Sequence, residues 1–365
     1  MLYHDYFAIR GGGERLILTL AEALDGSTLV LGYRSADSYA FEAFPPKTVS
    51  LDLASVLRGF GLRLPALSLL FQRNRRFARR FATRIFSGVA APLAAPKGEG
   101  VNIFYCHTPP RFLYDQREHF LGRHGWPKRV AARALMLWFE PQYLEAISRM
   151  DLILTNSENT RTRIRHYLGR DSIVVPPPVD TDHFTWRGQG DYYLSTARLT
   201  PLKRVERIVE SFKEMPDKRL IIASGGEDLG KLQKMAADAP NITFLGWVTD
   251  KELLNLVGNA IATVYLPRDE DFGMSPVESM AAGKPVIGVA EGGLLETIIP
   301  DQTGVLLDPA FTTADLVKAI KDMTPEKAAS MRMACEERAQ LFSRDRFIAG
   351  MKAVIEEAMP VHDIA

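Results

Sequence analysis

The chain is expected to fold as an α/β protein of two domains, each a parallel sheet with helices on its faces. Short apolar runs of strand length alternate with stretches of helical periodicity along most of the sequence. Pro176-Pro177-Pro178 interrupt this alternation, which then restarts; three prolines continue neither a helix nor a central strand. A chain of 365 residues is also long for one core and natural for two of about 150–200 residues each. The predicted division is residues 1–178 and 179–343.

Hydrophobic residues make up 46% of the chain and charged ones 24%, the balance of an ordinary globular protein. A net charge of +1 gives no global attraction to nucleic acid, so electrostatic partners must be met by local clusters. Cys106 and Cys335 are far apart and lack metal-ligand spacing, which argues against a disulfide framework or structural zinc and predicts a reduced, cytoplasmic setting. The opening MLYHDYF lacks the regions of a secretion signal, and no window reaches ~18 uninterrupted apolar residues, so no membrane-spanning helix is expected.

Met1–Phe7 is strand-like and runs into Gly11-Gly12-Gly13, after which Leu16, Ile17, Leu20, Ala21 and Leu24 recur at helical spacing. This turn is expected to form a backbone nest that approaches a phosphate through Gly12 and Gly13; the steric alternative is a turn that is glycine-rich only because it is tight. Ser27–Tyr33 and Thr48–Leu53 continue as strands. From Leu53 to Gly98 there is no acidic residue, while Arg58, Arg63, Arg73, Arg75, Arg76, Arg79, Arg80 and Arg84 accumulate. Leu67, Leu70, Phe71, Phe77, Ala78, Phe81 and Ala82 recur on one helical face and the arginines fall largely on the other. Such a stretch is either a core helix with solvated arginines or a surface for anionic lipid or a lipid-linked diphosphate.

Val101–Cys106 is an apolar strand ending at His107-Thr108-Pro109, which places His107 at the strand edge where ligands of open α/β sheets collect; the plain alternative is a histidine on a surface loop. Tyr114–His124 and Pro127–Met150 are helical, Asp151–Asn156 is a strand, Ser157 caps a helix over Glu158–Leu168, and Ser172–Val175 ends the first half. After the prolines, Asp191–Thr196, Arg219–Ala223, Ile242–Phe244, Ala260–Tyr265, Pro285–Val289 and Gly304–Leu307 are strands, and Val205–Phe212 is a helix.

The most informative stretch is EDFGMSPVESMAA, Glu270 to Ala282. An apolar strand leads into a glycine loop, and Pro276 suits the first turn of a helix running through Met280. The free N–H groups of Phe272, Gly273, Met274 and Ser275, with the helix dipole, make an anion site. Glu270 and Glu278 frame it. Carboxylates beside an anion site suit sugar hydroxyls carried on a phosphate, which points to a sugar nucleotide; the plain alternative is a capped surface helix. Arg198 and Lys203, in ARLTPLKR, surround a proline at a strand end and are placed to converge on one diphosphate; the plain alternative is a solvated pair at a helix start. Gly225-Gly226-Glu227 and Leu245–Asp250 are strand-end loops placed to meet a nucleobase.

The pattern E-x-F-G-x-x-x-x-E followed by G-K-P-V-I resembles the signature of the family 4 retaining glycosyltransferases. With HDYF, GGGER, YCHTPPRFLYD, PPPVDTDHF and ARLTPLKR, the chain is similar, within that family, to bacterial O-antigen and exopolysaccharide mannosyltransferases. The resemblance is weakest between Gly26 and Gly100. It implies the GT-B fold, two Rossmann-like domains facing a central cleft, with the C-terminal helix 344–365 completing the first. It also implies donor contacts from Glu270 to sugar hydroxyls, from Phe272, Gly273, Met274 and Ser275 to sugar and phosphate, from Glu278 to the ribose, from Arg198 and Lys203 to the diphosphate, and from the Val248 backbone to the base. His107 would orient the sugar and stabilise charge developing at the anomeric carbon.

By the same resemblance the reaction is retaining transfer of a hexose, mannose from GDP-mannose, to a glycan or polyprenyl-diphosphate-linked acceptor at the cytoplasmic face of the plasma membrane. A UDP-sugar or another GDP-hexose is the alternative donor. With phosphate charge met by Arg198, Lys203 and the helix dipole, and no Asp/His cluster at metal-ligand spacing, transfer is expected without a metal or any cofactor beyond the nucleotide sugar. An epimerase on the same fold, or a non-catalytic sugar-nucleotide binding module, are the competing readings. The basic stretch argues against the first and the full set of charged site residues against the second.

Overall fold

The computed structural model describes residues 1–8, 10–36, 38–59, 61–122 and 125–359. Residues 123 and 124 of the expected Tyr114–His124 helix, and residues 360–365 of the expected C-terminal helix, lie outside them. The chain forms two compact units, residues 1–178 with the segment from Phe347 onward, and Val179–Arg346.

The first unit is built on β1 (Leu2–His4), β2 (Leu29–Leu31), β3 (Thr48–Ser50), β4 (Thr83–Ser87), β5 (Val101–Cys106), β6 (Leu152–Thr155) and β7 (Ile173–Val174). The second is built on β8 (Tyr192–Ser195), β9 (Arg219–Ile222), β10 (Ile242–Phe244), β11 (Thr263–Val264), β12 (Val286–Val289) and β13 (Gly304–Leu307). All ladders are parallel, in the orders β3-β2-β1-β4-β5-β6-β7 and β10-β9-β8-β11-β12-β13. Both are doubly wound, and strand order reverses between β1 and β4 in one and between β8 and β11 in the other. Ligands of such sheets bind beyond the C-terminal ends of the strands at those switch points.

The helices of the first unit are α1 (Gly12–Ala23), α2 (Arg63–Ala78), α3 (Arg117–Gly122), α4 (Trp126–Ile147) and α5 (Glu158–Leu168). The second carries α6 (Val205–Lys213), α7 (Leu229–Met235), α8 (Asp250–Asn259), α9 (Met274–Ala281), α10 (Leu294–Thr297), α11 (Thr313–Asp322), α12 (Pro325–Ser330) and α13 (Arg332–Gln340). The final helix, α14 (Arg344–Ala358), buries Phe347, Met351, Val354 and Ile355 in the first unit's core beside Leu16, Leu20 and Ile103. α5 starts at Ser157, whose hydroxyl accepts from the Thr160 amide at 3.0 Å.

Three local readings need correction. The glycines at 11–13 form no nest: Gly11 is extended, and α1 begins at Gly12, so the run is the uncapped start of a helix. β4 is a central strand that arginine-rich surroundings conceal; its Ile85 and Phe86 point into opposite faces of the sheet, each joining a different core. The basic stretch is also divided in two. Arg73, Arg76, Arg79 and Arg80 are exposed, whereas Arg84 is buried and donates to the Glu99 carbonyl, and Arg75 donates to that of Leu93. Arg58 and Arg63 lie over the rings of Tyr33 and Tyr6. Phe71 and Leu67 pack inside, so the apolar face of α2 serves largely as core.

Asp5, just past β1, ties the two strands of the switch point together. Its buried carboxylate accepts from the amides of Val89, Ala90 and Ala91 beyond β4, at 2.6 to 3.1 Å. Gly88 makes this approach possible. Its φ is +111°, and a Cβ there would lie 2.5 Å from the Asp5 carboxyl carbon. Gly88→Ala is therefore expected to cost about 2 kcal/mol or more, from backbone strain plus the broken clamp, and to lower the thermal midpoint. A midpoint equal to that of the unsubstituted protein would show that Asp5 is not held this way.

Candidate active site

In the second unit the site is assembled at the C-terminal ends of β8 and β11. β8 leads through Arg198 to a short turn, Pro201–Lys203, ahead of α6; β11 leads through Tyr265 and Glu270 into α9. Lys203 donates from Nζ to the Tyr265 hydroxyl at 2.9 Å and forms an ion pair with Glu270. Tyr265 donates in turn to Glu270 Oε2 at 3.1 Å. Burial, aided by the Glu270 carboxylate, pushes the Tyr265 phenol well above its ordinary pKa, so it stays a donor. An ammonium has three N–H groups, and this triangle uses two. Arg198 is exposed one turn earlier.

The loop between Glu270 and α9 is held from behind. Phe272 is 4% exposed and packs edge-on against Phe342, which leaves the backbone as what the loop offers. Gly273 is left-handed at φ +92° and precedes α9, so the amides of Met274 and Ser275 open the helix with no preceding turn to accept them. Glu278 lies half-buried one turn further on. Gly293 donates its amide to the Glu270 carbonyl at 2.8 Å, and any Cβ on Gly292 or Gly293 would collide with the 270–272 backbone. Val248 is half-buried beyond β10, and the neighbouring Trp247, 72% exposed, lies against Gly225.

Three residues escaped the sequence reading. Arg204 donates bidentately to Glu291, 87 residues away, and to the carbonyls of Leu266 and Pro267. Glu291 also accepts from the Asp269 amide. Tyr265 completes the Lys203–Glu270 triangle. Nothing in local spacing announces such long-range pairs; the one available signal was Arg204's place beside Lys203.

In the first unit, His107 follows β5 and His4 ends β1, with Ser87 at the end of β4 between them. Ser87 Oγ lies 2.8 Å from His107 Nε2 and 3.1 Å from His4 Nδ1. Asn156 donates to the His107 carbonyl at 2.8 Å. The His107 ring lies against the start of α1, where a Cβ on Gly13 would stand in van der Waals contact with it at 3.4 Å, and Gly12 opens that helix. Burial pushes His107 down to about 4 and His4 to about 3, so both rings are neutral at neutral pH.

Two family descriptions match the chain: Glycosyltransferase Family 4 over residues 10–183, and Glycosyl transferases group 1 over residues 180–342. End to end they account for nearly the whole sequence, and the chain belongs to the family 4 glycosyltransferases. The alpha-1,3/1,6-mannosyltransferase ALG2 of Dictyostelium discoideum is 22% identical, with 95% of each chain covered. The D-inositol 3-phosphate glycosyltransferase of Mycobacteroides abscessus is 28% identical over 54% of this chain and 50% of its own. The GDP-mannose-dependent alpha-(1-6)-phosphatidylinositol monomannoside mannosyltransferase of Mycolicibacterium smegmatis is 29% identical over 50% and 56%. The match thus spans only about half the length of the two mycobacterial relatives.

Among solved structures, the sucrose-phosphate synthase of Thermosynechococcus elongatus superposes with a TM-score of 0.76 at 17% identity, covering 98% of both chains. Anabaena HepE in complex with UDP and glucose gives 0.75 at 18%, covering 97% of this chain and 98% of its own. These likenesses establish the fold as GT-B, two Rossmann-like domains.

The titrations set an acid dependence. Between about pH 4 and 6 the unfolded chain holds protons on His4 and His107 that the folded chain lacks. Burial raises Asp5 to about 6, so there the folded chain holds one that the unfolded chain lacks. The unfolded state binds one more proton in total, and from these three groups stability rises with pH by about 1.4 kcal/mol per unit across that window. His107→Asn should flatten this slope in thermal melts run from pH 4 to 7. An unchanged slope would mean that His107 is not a buried neutral imidazole.

Proposed function

We propose that this glycosyltransferase moves a hexosyl group from a nucleoside diphosphate sugar to a hydroxyl of a lipid-linked or growing glycan, with retention of anomeric configuration, and that the donor is GDP-mannose. The observation carrying the reading is the Lys203–Tyr265–Glu270 triangle beside the open amides of α9. It puts a carboxylate suited to sugar hydroxyls next to a cation and a helix N-terminus suited to phosphate.

In this reading Arg198, Lys203 and the α9 amides hold the diphosphate, Glu278 the ribose and the Val248 backbone the base. The bond from the anomeric carbon to the phosphate oxygen breaks. The acceptor oxygen bonds that carbon from the same face, and its proton passes to the departing phosphate. Developing negative charge is met by Lys203, Arg198 and the helix dipole, without a metal or further cofactor. His107, neutral, acts on the transferred sugar. Mannose is favoured by the activities for which ALG2 and the mannosyltransferase of Mycolicibacterium smegmatis are named, whereas HepE, solved with UDP and glucose, favours a UDP-sugar as second reading.

Donor binding and transfer separate these roles. Lys203→Ala should weaken calorimetric GDP affinity by about 1.5–3 kcal/mol, the scale of a charge-assisted hydrogen bond. Glu270→Ala should abolish transfer and leave GDP affinity within a few fold, while Glu278→Ala should weaken GDP itself. The reverse pattern for the two glutamates would overturn the donor's orientation. Titration against UDP decides between the two donors.

We also assign the protein to the cytoplasmic face of an anionic membrane. No described helix is long and apolar enough to cross a bilayer. Arg73, Arg76, Arg79 and Arg80 remain exposed on and just beyond α2, and each basic residue near an anionic surface contributes about 1 kcal/mol. Replacing Arg73, Arg76 and Arg80 by Gln should release the protein from anionic liposomes at low salt. Equal sedimentation of the variant and the unsubstituted protein would remove α2 from the membrane contact.

A further inference from the structure

The first unit contains a pocket of about 600 Å³ between α2, α3 and α4 that the donor assignments leave unused. Its wall is apolar, formed by Leu64 and Leu67 of α2, Leu135 and Met136 of α4, and Val89 and Phe112. Polar groups are few. Asp5 reaches the lining, but its carboxylate is engaged by three backbone amides. Arg63 and Lys128, both exposed, are the cations of the lining, and Asp5 is its one carboxylate among the described residues.

The helices around this pocket also expose an unusual amount of apolar surface. Trp126 is 76% exposed, Leu137 66% and Val130 49% on α4, and Leu69 is 48% exposed on α2. Exposed apolar side chains beside basic ones mark a face that meets an amphiphile.

We infer that this pocket takes the hydrocarbon chain of an isoprenoid diphosphate, with the diphosphate at Arg63 and Lys128. The inference rests on the lipid-linked acceptor of the proposed function and names where that acceptor is gripped. The volume lies in the range of pockets that enclose one drug-sized ligand, so it suits a single chain rather than the pair on a bilayer phospholipid. The charges complement a diphosphate head, and the apolar wall behind them complements the tail.

The test is calorimetric titration of the full chain with farnesyl diphosphate, with inorganic diphosphate and GDP as comparisons. Farnesyl diphosphate should bind without competing with GDP, and inorganic diphosphate should bind at least about tenfold more weakly, because the tail supplies apolar burial. Ala132→Trp, which grows from the pocket lining, should weaken farnesyl diphosphate about tenfold or more; so should Arg63→Gln with Lys128→Gln, through lost charge-assisted contacts. Thermal midpoints matching the unsubstituted protein show that these variants are folded. No binding by the unsubstituted protein, equal binding of inorganic diphosphate, competition with GDP, or undiminished binding by folded Ala132→Trp would each overturn the inference. Donor binding is measured separately through GDP, so loss of the pocket reading leaves the transfer reading standing, and failure to bind any nucleotide removes the latter alone.

Discussion

The second unit's site depends on Arg204. Its backbone is left-handed at φ +50°, which costs a non-glycine residue about 1–3 kcal/mol. The guanidinium offsets that strain by fixing the strand β11 exit from three sides. It donates at 2.7 Å to the carbonyls of Leu266 and Pro267 and forks onto Glu291, which also caps the Asp269 amide. Because the chain turns sharply at Arg204, the preceding Lys203 is directed at Tyr265 and Glu270. A lysine at 204 would keep the charge and lose the planar fork that holds two carbonyls and a carboxylate together. Two loops distant in sequence are thereby set at hydrogen-bond distance by the fold itself, so the charges of Lys203 and Glu270 are preorganised.

The same logic of strand-end loops held by buried polar contacts governs the first unit. Parallel sheets covered on both faces bring every strand's C-terminal end to one edge. At that edge Asp5, Ser87 and His107 come from β1, β4 and β5, and the clamp of Asp5 on the amides after β4 fixes the spacing that Ser87 needs to reach both histidines. A small residue makes room for this. Gly88 admits the Asp5 carboxylate, which a Cβ there would meet at 2.5 Å.

Sequence reading recovered what is locally encoded. The β10, β13 and α5 segments have the expected bounds because apolar runs and a serine cap mark them. The EDFG loop and its helix were legible because glycine at 273 and proline at 276 are direct consequences of backbone geometry. β4 was not legible. Its two large apolar side chains face opposite ways, so it has neither a continuous run nor a long alternation, and it lies among arginines. The Arg204–Glu291 pair was invisible because only the folded sheet order brings its members together. The lysine of G-K-P-V-I belongs to the same recognisable motif but does different work. Lys284 enters β12 from its N-terminal end, donates to the Gly188 carbonyl at 2.5 Å and sits over the Trp186 ring. It braces the sheet at the end opposite the switch point.

The serine between the two histidines limits what His107 can offer a substrate. One hydroxyl has one proton, so when Ser87 donates to His107 Nε2 it must accept from His4 Nδ1–H, and when it donates to His4 it accepts from His107 Nε2–H. The two imidazoles therefore change tautomer together, and in either state His107 Nε2 is committed to Ser87. What remains for a ligand is Nδ1, a donor in the first arrangement and an acceptor in the second. Burial holds the ring neutral, so Nδ1 carries its one N–H in the first arrangement and its lone pair in the second. The buried His4–Ser87 pair thus couples the tautomer of His107 to that of His4, whose own burial keeps a second proton away.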